Sequence, residues 1–409
     1  MPKGFYALIA AQFASGLADN VLMILGVFFL QEQGYPVWWA PLLKFSFNLA
    51  YVLLASVVGP IADAVPKGAL MAAMNALKLT SVLLLLLGVH PLLVFALTGL
   101  AAAVYAPAKY GMVTESVGAS WLVKANAWLE VSVVMSVLLG IALGGWLIGV
   151  RHDFQIKGIF PGSNVDLTVQ TQALGAFGVV MVIYGVSILL NSCIGPMALH
   201  KVHSRLTRSA LTWHSFWTCN LKLWRDPLGG VSLYVTTLFW GTGAVLQFAV
   251  LLWAQSEMGL TLQEGAYLQA LVAVGVVLGA FLSARVFKIF NARRVLPWGF
   301  LLAFLMPAMA LTKILWVAVP MLILAGVIGG VLLVPMNALL QHRGAKILSS
   351  GRSIAVQGFN ENLSVLLMLG AYSAMLALGL SLLAMMVALG LLLLGGLLLL
   401  FLRMQRGRR

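Results

Sequence analysis

Charge is scarce in this chain. Only 9% of its 409 residues are Asp, Glu, Lys or Arg, against 62% hydrophobic, and the mean hydropathy is +1.01. Soluble domains carry about 25% charged residues, so the shortage excludes an ordinary soluble fold and indicates a polytopic membrane protein. Cysteine is scarcer still, and Cys193 and Cys219 supply neither a disulfide framework nor a metal site. None of the six histidines, at 90, 152, 200, 203, 214 and 342, has Asp five residues later, the spacing with which acyltransferases commonly activate a hydroxyl. No G-x-S-x-G elbow and no His/Cys/Asp cluster with metal spacing occurs. Catalytic residues, metals and cofactors are therefore not expected. The N-terminus MPKGFYALIAAQF also lacks the cleavage site of a secretory signal.

What the chain has is long apolar runs. They give an all-α reading of twelve transmembrane helices near 5–30, 38–62, 69–89, 92–112, 124–149, 171–195, 229–255, 264–289, 295–312, 316–340, 353–378 and 381–402. The net charge of +14 would suggest nucleic acid in a soluble protein. Here the cations gather in alternate loops: Lys67, then Lys201, Arg205, Arg208, Lys222 and Arg225, then Lys288, Arg293 and Arg294, then Arg343, Lys346 and Arg352, with Lys3 and the tail RMQRGRR on the same side. The opposite loops offer little beyond Arg151, Lys157 and Lys313. This asymmetry places both termini in the cytoplasm and leaves no reason to invoke nucleic acid. The connection 197–228 separates two six-helix halves, 1–196 and 229–409. Within it, LTWHSFWTCNLKLWRD sets Trp213, Phe216, Trp217, Leu221 and Trp224 on one helical face. That face fits an interfacial helix on the inner leaflet, or equally a linker packed under the bundle.

Some polar residues interrupt the apolar runs. FASGLADNVLMILGVFF places Asp19 and Asn20 mid-helix, where a carboxylate costs about 3 kcal/mol on insertion scales. Lys78 falls at a similar depth. Lys109 and Glu130 fall in the cytoplasmic half of the membrane, and Gln247, Asn337, Asn360, Glu361 and Asn362 are the main polar positions of the second half. Asp19 with Lys78, and Lys109 with Glu130, can be pairs that only fix packing, or they can face a polar cavity. Buried cations and most buried acids belong to the first half, so the second half is expected to present a largely apolar wall. A substrate with a charged head and a long apolar body suits that arrangement.

The halves echo each other. YAPAKYG (105–111) followed by KANAWLEVS (124–132) matches LVPMNAL (333–339) followed by AVQGFNENLS (355–364), pairing Pro107 with Pro335, Lys109 with Asn337, Asn126 with Gln357 and Glu130 with Glu361. GPIADAVPKGALM (59–71) resembles the helix 2–3 loop pattern of the major facilitator superfamily at Gly59, Asp63 and Lys67, with the second glycine displaced. Asp63 can there meet the positive N-terminal end of a neighbouring helix and latch a gate. The matching segment GAFLSARVFKIFNARR lacks the acid, so one latch is expected. The resemblance implies two pseudo-symmetric six-helix bundles with a substrate site between them.

Taken together, GLADNVLM, GPIADAVPKG, LKL (77–79), AAVYAPAKYG, LVKANAWLE, LFWGTGAVLQF, VPMNALLQHRG and AVQGFNEN look like the bacterial lysophospholipid transporters of that superfamily, across essentially the whole chain. The resemblance implies movement of lysophosphatidylethanolamine and lysophosphatidylglycerol from outer to inner leaflet of the inner membrane by alternating access. It also implies reacylation by a cytoplasmic acyltransferase/acyl-ACP synthetase; the carrier is expected to be a monomer among membrane lipids. Substrate contacts are expected at Asp19, Asn20, Lys78, Lys109, Gln247 and Asn360, with Lys78, Lys109 or both drawing the phosphate and Asp19, with Asn20, meeting the ammonium or hydroxyl end of the head. Gating is expected at Gly59, Asp63, Lys67, Asn126, Glu130, Glu361 and Asn362. Some family members carry Arg at the position of Gln247, a cation this chain has lost. A proton-coupled carrier of a drug or polar solute, with Asp19 or Glu130 as proton site, is the alternative within the same fold.

Overall fold

The computed structural model describes residues 3–34, 39–149, 167–194, 211–260 and 262–406. The expected charges at 151, 157, 201, 205 and 208 lie outside them. Fourteen α-helices are present among the described residues: α1 Lys3–Glu32, α2 Trp39–Leu53, α3 Ala55–Ala64, α4 Lys67–Leu86, α5 Pro91–Ser116, α6 Leu122–Gly149, α7 Leu167–Cys193, α8 Trp213–Arg225, α9 Gly229–Met258, α10 Leu262–Val286, α11 Leu296–Leu311, α12 Leu315–Ile347, α13 Ser350–Ala377 and α14 Leu382–Arg406. Ten are long and apolar enough to cross a membrane alone.

The second expected span is not one straight helix. It is the pair α2–α3, bent by 67° at Leu54. Pro60 lies six residues beyond the bend, so the break has no proline or glycine to announce it. α13 falls short of the apolar criterion because Arg352, Asn360, Glu361 and Asn362 dilute it. It nevertheless packs along α9, α3, α5 and α2 within the bundle. Counting the bent pair and α13, the spans reach the expected twelve. This is an all-α, multi-pass membrane protein.

Local signals set the ends. Pro91 opens α5 behind His90, whose Nδ1 accepts the Leu92 N–H at 3.3 Å. Ser349 caps α13, and Gly259 closes α9 in the left-handed conformation at φ +64°.

Packing repeats between the halves. α1 lies against α6 and α7 as α9 lies against α13 and α14; α4 meets α7 as α11 meets α14; the α2–α3 span meets α5 as α10 meets α12. Across the halves, α3 meets α13 and α10 meets α6. The α10–α12 contact is tight along several turns. Gly275 and Gly279 face Gly326 and Gly330, and a Cβ on Gly326 would stand 2.9 Å from the Cα of Gly275, so main chain touches main chain. α8 tucks beneath α9, α13 and α3, burying Phe216 and Leu223 with Phe359, Val356 and Ala55, while Trp213, Trp217 and Leu221 stay exposed. The expected aromatic face is thus split between the bundle and its surroundings.

Candidate functional site

Two polar assemblies lie inside the bundle and one at its basic end. The first lies within the first half, its lysine buried and its acid partly exposed. Lys78 of α4, 1% exposed, places Nζ 2.6 Å from Asp19 Oδ2 and 3.1 Å from Ser15 Oγ. Tyr184 of α7 donates to the other oxygen of Asp19 at 2.7 Å. Ser15 donates to Asn75, Asn75 to Ser187, and Ser187 to the carbonyl of Ala11, at 2.7, 2.9 and 2.8 Å. Lys78 also faces the rings of Tyr105 and Tyr184, 5.4 and 5.9 Å from their centroids. The acid is affordable at this depth because each of its oxygens has a partner. Asn20 does not join it: its amide turns back to the Gly16 carbonyl at 2.7 Å, and its Cβ packs toward Gly140 of α6.

The second assembly is a cavity of about 260 Å³ between the halves. Asn48, Tyr51, Lys109 and Tyr110 line it from the first half, and Asn337, Gln357, Glu361 and Asn362 from the second. Beside apolar Trp240, Ile354, Phe359 and Val365, the second half thus brings polar groups to a wall expected to be largely apolar. Sequence reading placed these polar residues on α12 and α13 but could not show that their helical faces converge. Lys109 forms no ion pair with Glu130 among the described residues; its Nζ stands 4.5 Å over the Tyr110 ring. Gln357 donates to Asn337 at 2.9 Å and to Glu361 at 2.8 Å. Asn362 bonds back to the Gly358 carbonyl at 2.8 Å.

Several expected contacts point elsewhere. Of the expected substrate contacts, Asp19, Asn20, Lys78 and Gln247 are not among the residues that line this cavity, nor is Glu130, which was expected at the gate. Gln247 is exposed, and its carbonyl accepts from Gln269 of α10. Asn360 turns to α8, donating to Asn220 at 2.9 Å and accepting from the Trp224 indole at 3.2 Å. The NEN run points three ways, as adjacent helical residues must, and Asn360 takes the direction of the linker helix.

The third assembly joins the halves at the basic end. Asp63, 3% exposed, accepts the Gly351 N–H at 2.8 Å and the hydroxyl of Ser349, so a carboxylate sits on the first turn of α13. Gly59 lets the helices approach: a Cβ there would stand 2.8 Å from the Arg352 Cα. Lys67 does not reach across; it pairs with Glu115 of α5 at 2.9 Å. Asn126 and Gln341 exchange amide bonds at 2.9 and 2.8 Å, joining α6 to α12. Sequence reading named Asn126 and missed Gln341, although it stands in the quoted VPMNALLQHRG. Outside the spans, Asp226 receives Arg343 at 2.6 Å and the N–H of Gly229 at 2.7 Å. Burial alone would raise its carboxyl, but these bonds outweigh burial and hold it below the ordinary carboxylate range.

A family model for the Major Facilitator Superfamily matches residues 8–368. The lysophospholipid transporter LplT of Yersinia enterocolitica (serotype O:8 / biotype 1B) is 36% identical over 94% of this chain and 90% of its own length. LplT of Yersinia pestis (strain Pestoides F) is 34% identical over 94% and 89%. Among solved structures, the transporter FucP in its outward conformation superimposes with a TM-score of 0.76 at 15% identity, covering 98% of each chain. The human organic anion transporter MFSD10 gives 0.71 at 14% identity, covering 98% of this chain and all of that one. Those likenesses carry the fold, and the family follows from the sequence matches. This chain is a member of the Major Facilitator Superfamily and belongs, within it, to the same family as the LplT proteins of Yersinia.

Proposed function

We propose that this protein carries lysophospholipids, chiefly lysophosphatidylethanolamine and lysophosphatidylglycerol, from the outer to the inner leaflet of a bacterial inner membrane by alternating access. The supporting observation is a polar cavity between the halves of a chain 36% identical to a lysophospholipid transporter over nearly its whole length. Lys109 is the phosphate ligand in this reading. It lines the cavity and forms no ion pair among the described residues, whereas Lys78 is spent on Asp19 and Ser15. The acyl chain stays in apolar surroundings or trails into lipid, since only the head group needs polar company.

The moving bodies are 1–196 and 229–409, with 197–228 as linker. The basic end and both termini face the cytoplasm, and the bonds of Asp63, Asn126 and Gln341 close that side. A cytoplasmic acyltransferase/acyl-ACP synthetase then restores the missing chain, and the carrier works as a monomer. Asp19 with Lys78 acts on the site indirectly, by fixing α1, α4 and α7.

The test is uptake of radiolabelled lysophosphatidylethanolamine, set against a panel of polar solutes, in spheroplasts lacking the endogenous carrier. Lysolipid uptake without solute uptake is expected, unchanged by a proton ionophore. Solute uptake that collapses with the ionophore would establish the proton-coupled alternative instead. Asp19→Asn should fold and transport poorly; undiminished transport would remove Asp19 from the mechanism.

A further inference from the structure

Asp19 is the acid that the sequence offers to the cationic end of a head group, yet both of its oxygens are engaged, by Lys78 at 2.6 Å and Tyr184 at 2.7 Å. Glu361 is placed differently. It lines the cavity, accepts from Gln357 through Oε1 at 2.8 Å, and has no ion pair among the described residues. Gln357, 8% exposed, also lines the cavity, and its own Oε1 is buried without a hydrogen-bond partner. Its amide nitrogen is fixed between Glu361 and Asn337 of α12, which sets the orientation of that free oxygen. One wall therefore holds a carboxylate without a cation beside an amide oxygen without a donor.

The other half supplies the complement. Lys109 lines the same cavity and forms no ion pair among the described residues, with Glu130 acting on it only at longer range, and Tyr110 stands beside it under the ammonium at 4.5 Å. Charges of opposite sign that make no close ion pair in a low-dielectric bundle are costly unless something meets both. A head group that carries phosphate and ammonium a few bonds apart does so. An ammonium has three donors and no acceptor, which suits a carboxylate oxygen and an amide oxygen together.

We propose, on the footing of the transport reading above, that Glu361 and Gln357 receive the ammonium of a phosphoethanolamine head while Lys109 receives its phosphate. Glu361 is then a specificity-determining residue that favours the zwitterionic head over a glycerol head. A glycerol head still reaches Lys109 through its phosphate but gives Glu361 only neutral hydroxyl donors, which make the weaker bonds. The ammonium–phosphate bridge also spans α5 and α13, one helix from each half.

The experiment measures transport of lysophosphatidylethanolamine and lysophosphatidylglycerol separately, in spheroplasts carrying the wild-type protein, Glu361→Gln or Glu361→Asp. The wild type is expected to carry both. Glu361→Gln should lower the ethanolamine-to-glycerol ratio by about tenfold, the size of one charge-assisted bond replaced by a neutral one, and Glu361→Asp should fall between. A ratio that stays within about twofold of wild type overturns the assignment. Equilibrium binding of both lysolipids to purified protein gives the same ratio for a variant that binds without turning over. A purified variant that binds neither lysolipid overturns the assignment as well, because the glycerol head is expected to keep Lys109. Wild-type protein that carries neither lysolipid refutes the transport reading itself, a separate failure.

Discussion

Replacing Asp63 by Asn tests whether one carboxylate holds the basic end shut. Asp63 accepts the Gly351 N–H at 2.8 Å and the Ser349 hydroxyl, and it lies on the positive end of α13. Bonds to a charged group are worth about 1.5–3 kcal/mol net, and a charge at a partly buried helix terminus up to about 2 kcal/mol. Asn keeps an acceptor oxygen and loses the charge, so the closed state should weaken by about 2 kcal/mol, roughly a 30-fold shift of the opening equilibrium. Ser350 gives a reporter. It is 8% exposed in the contact between α13 and α5, where a Cβ on Gly111 would meet its own Cβ at 3.4 Å. In a background with Cys193→Ser and Cys219→Ser, Ser350→Cys should react slowly with an impermeant maleimide added from the basic side. Asp63→Asn should speed that reaction roughly 30-fold, in proportion to the open population. A rate unchanged within about twofold, in protein that remains folded, would refute the reasoning.

Lys78→Met should lower thermal stability in detergent by the equivalent of about 3–5 kcal/mol, because it strands the Asp19 carboxylate with only Tyr184; adding Asp19→Asn should recover most of the loss. Asn126→Leu and Gln341→Leu should each raise the same maleimide rate, and the double variant should fall short of additivity by about 0.5–3 kcal/mol, since either change alone orphans the other amide. Asp226 gives a pH limb. Its folded carboxyl lies below the ordinary value, so its stabilising contribution is complete above about pH 4 and is lost as pH falls further. Melting temperature measured from pH 7 down to pH 3 should show that acid limb, and Asp226→Asn should remove it.

Most of the fold was legible because span length and charge asymmetry are properties of single segments. The break at Leu54 was not, since neither proline nor glycine marks it and each side reads as apolar helix. Asp63 was legible because its motif names both the acid and the kind of partner, a helix N-terminus. The network of Ser15, Asn75, Ser187 and Tyr184 was missed for the opposite reason: each is a lone polar residue on an apolar helix, and only packing makes them a group. Asn360 and Glu361 are sequence neighbours, yet about 100° of helical rotation sends one to the linker helix and the other to the cavity. No count along the chain reveals which face meets which partner.

The glycine contact between α10 and α12 has a mechanical consequence. Two rods whose main chains touch have no side-chain cushion in which to slide, so they must swing together as one stiff plank. The corresponding span of the other half also meets its neighbour main chain to main chain, at Gly99 against Phe47, but beyond that contact it is jointed at Leu54, the one bent pair among the described residues. During transport the two halves would therefore move unequally, a compliant hinge working against a rigid lever.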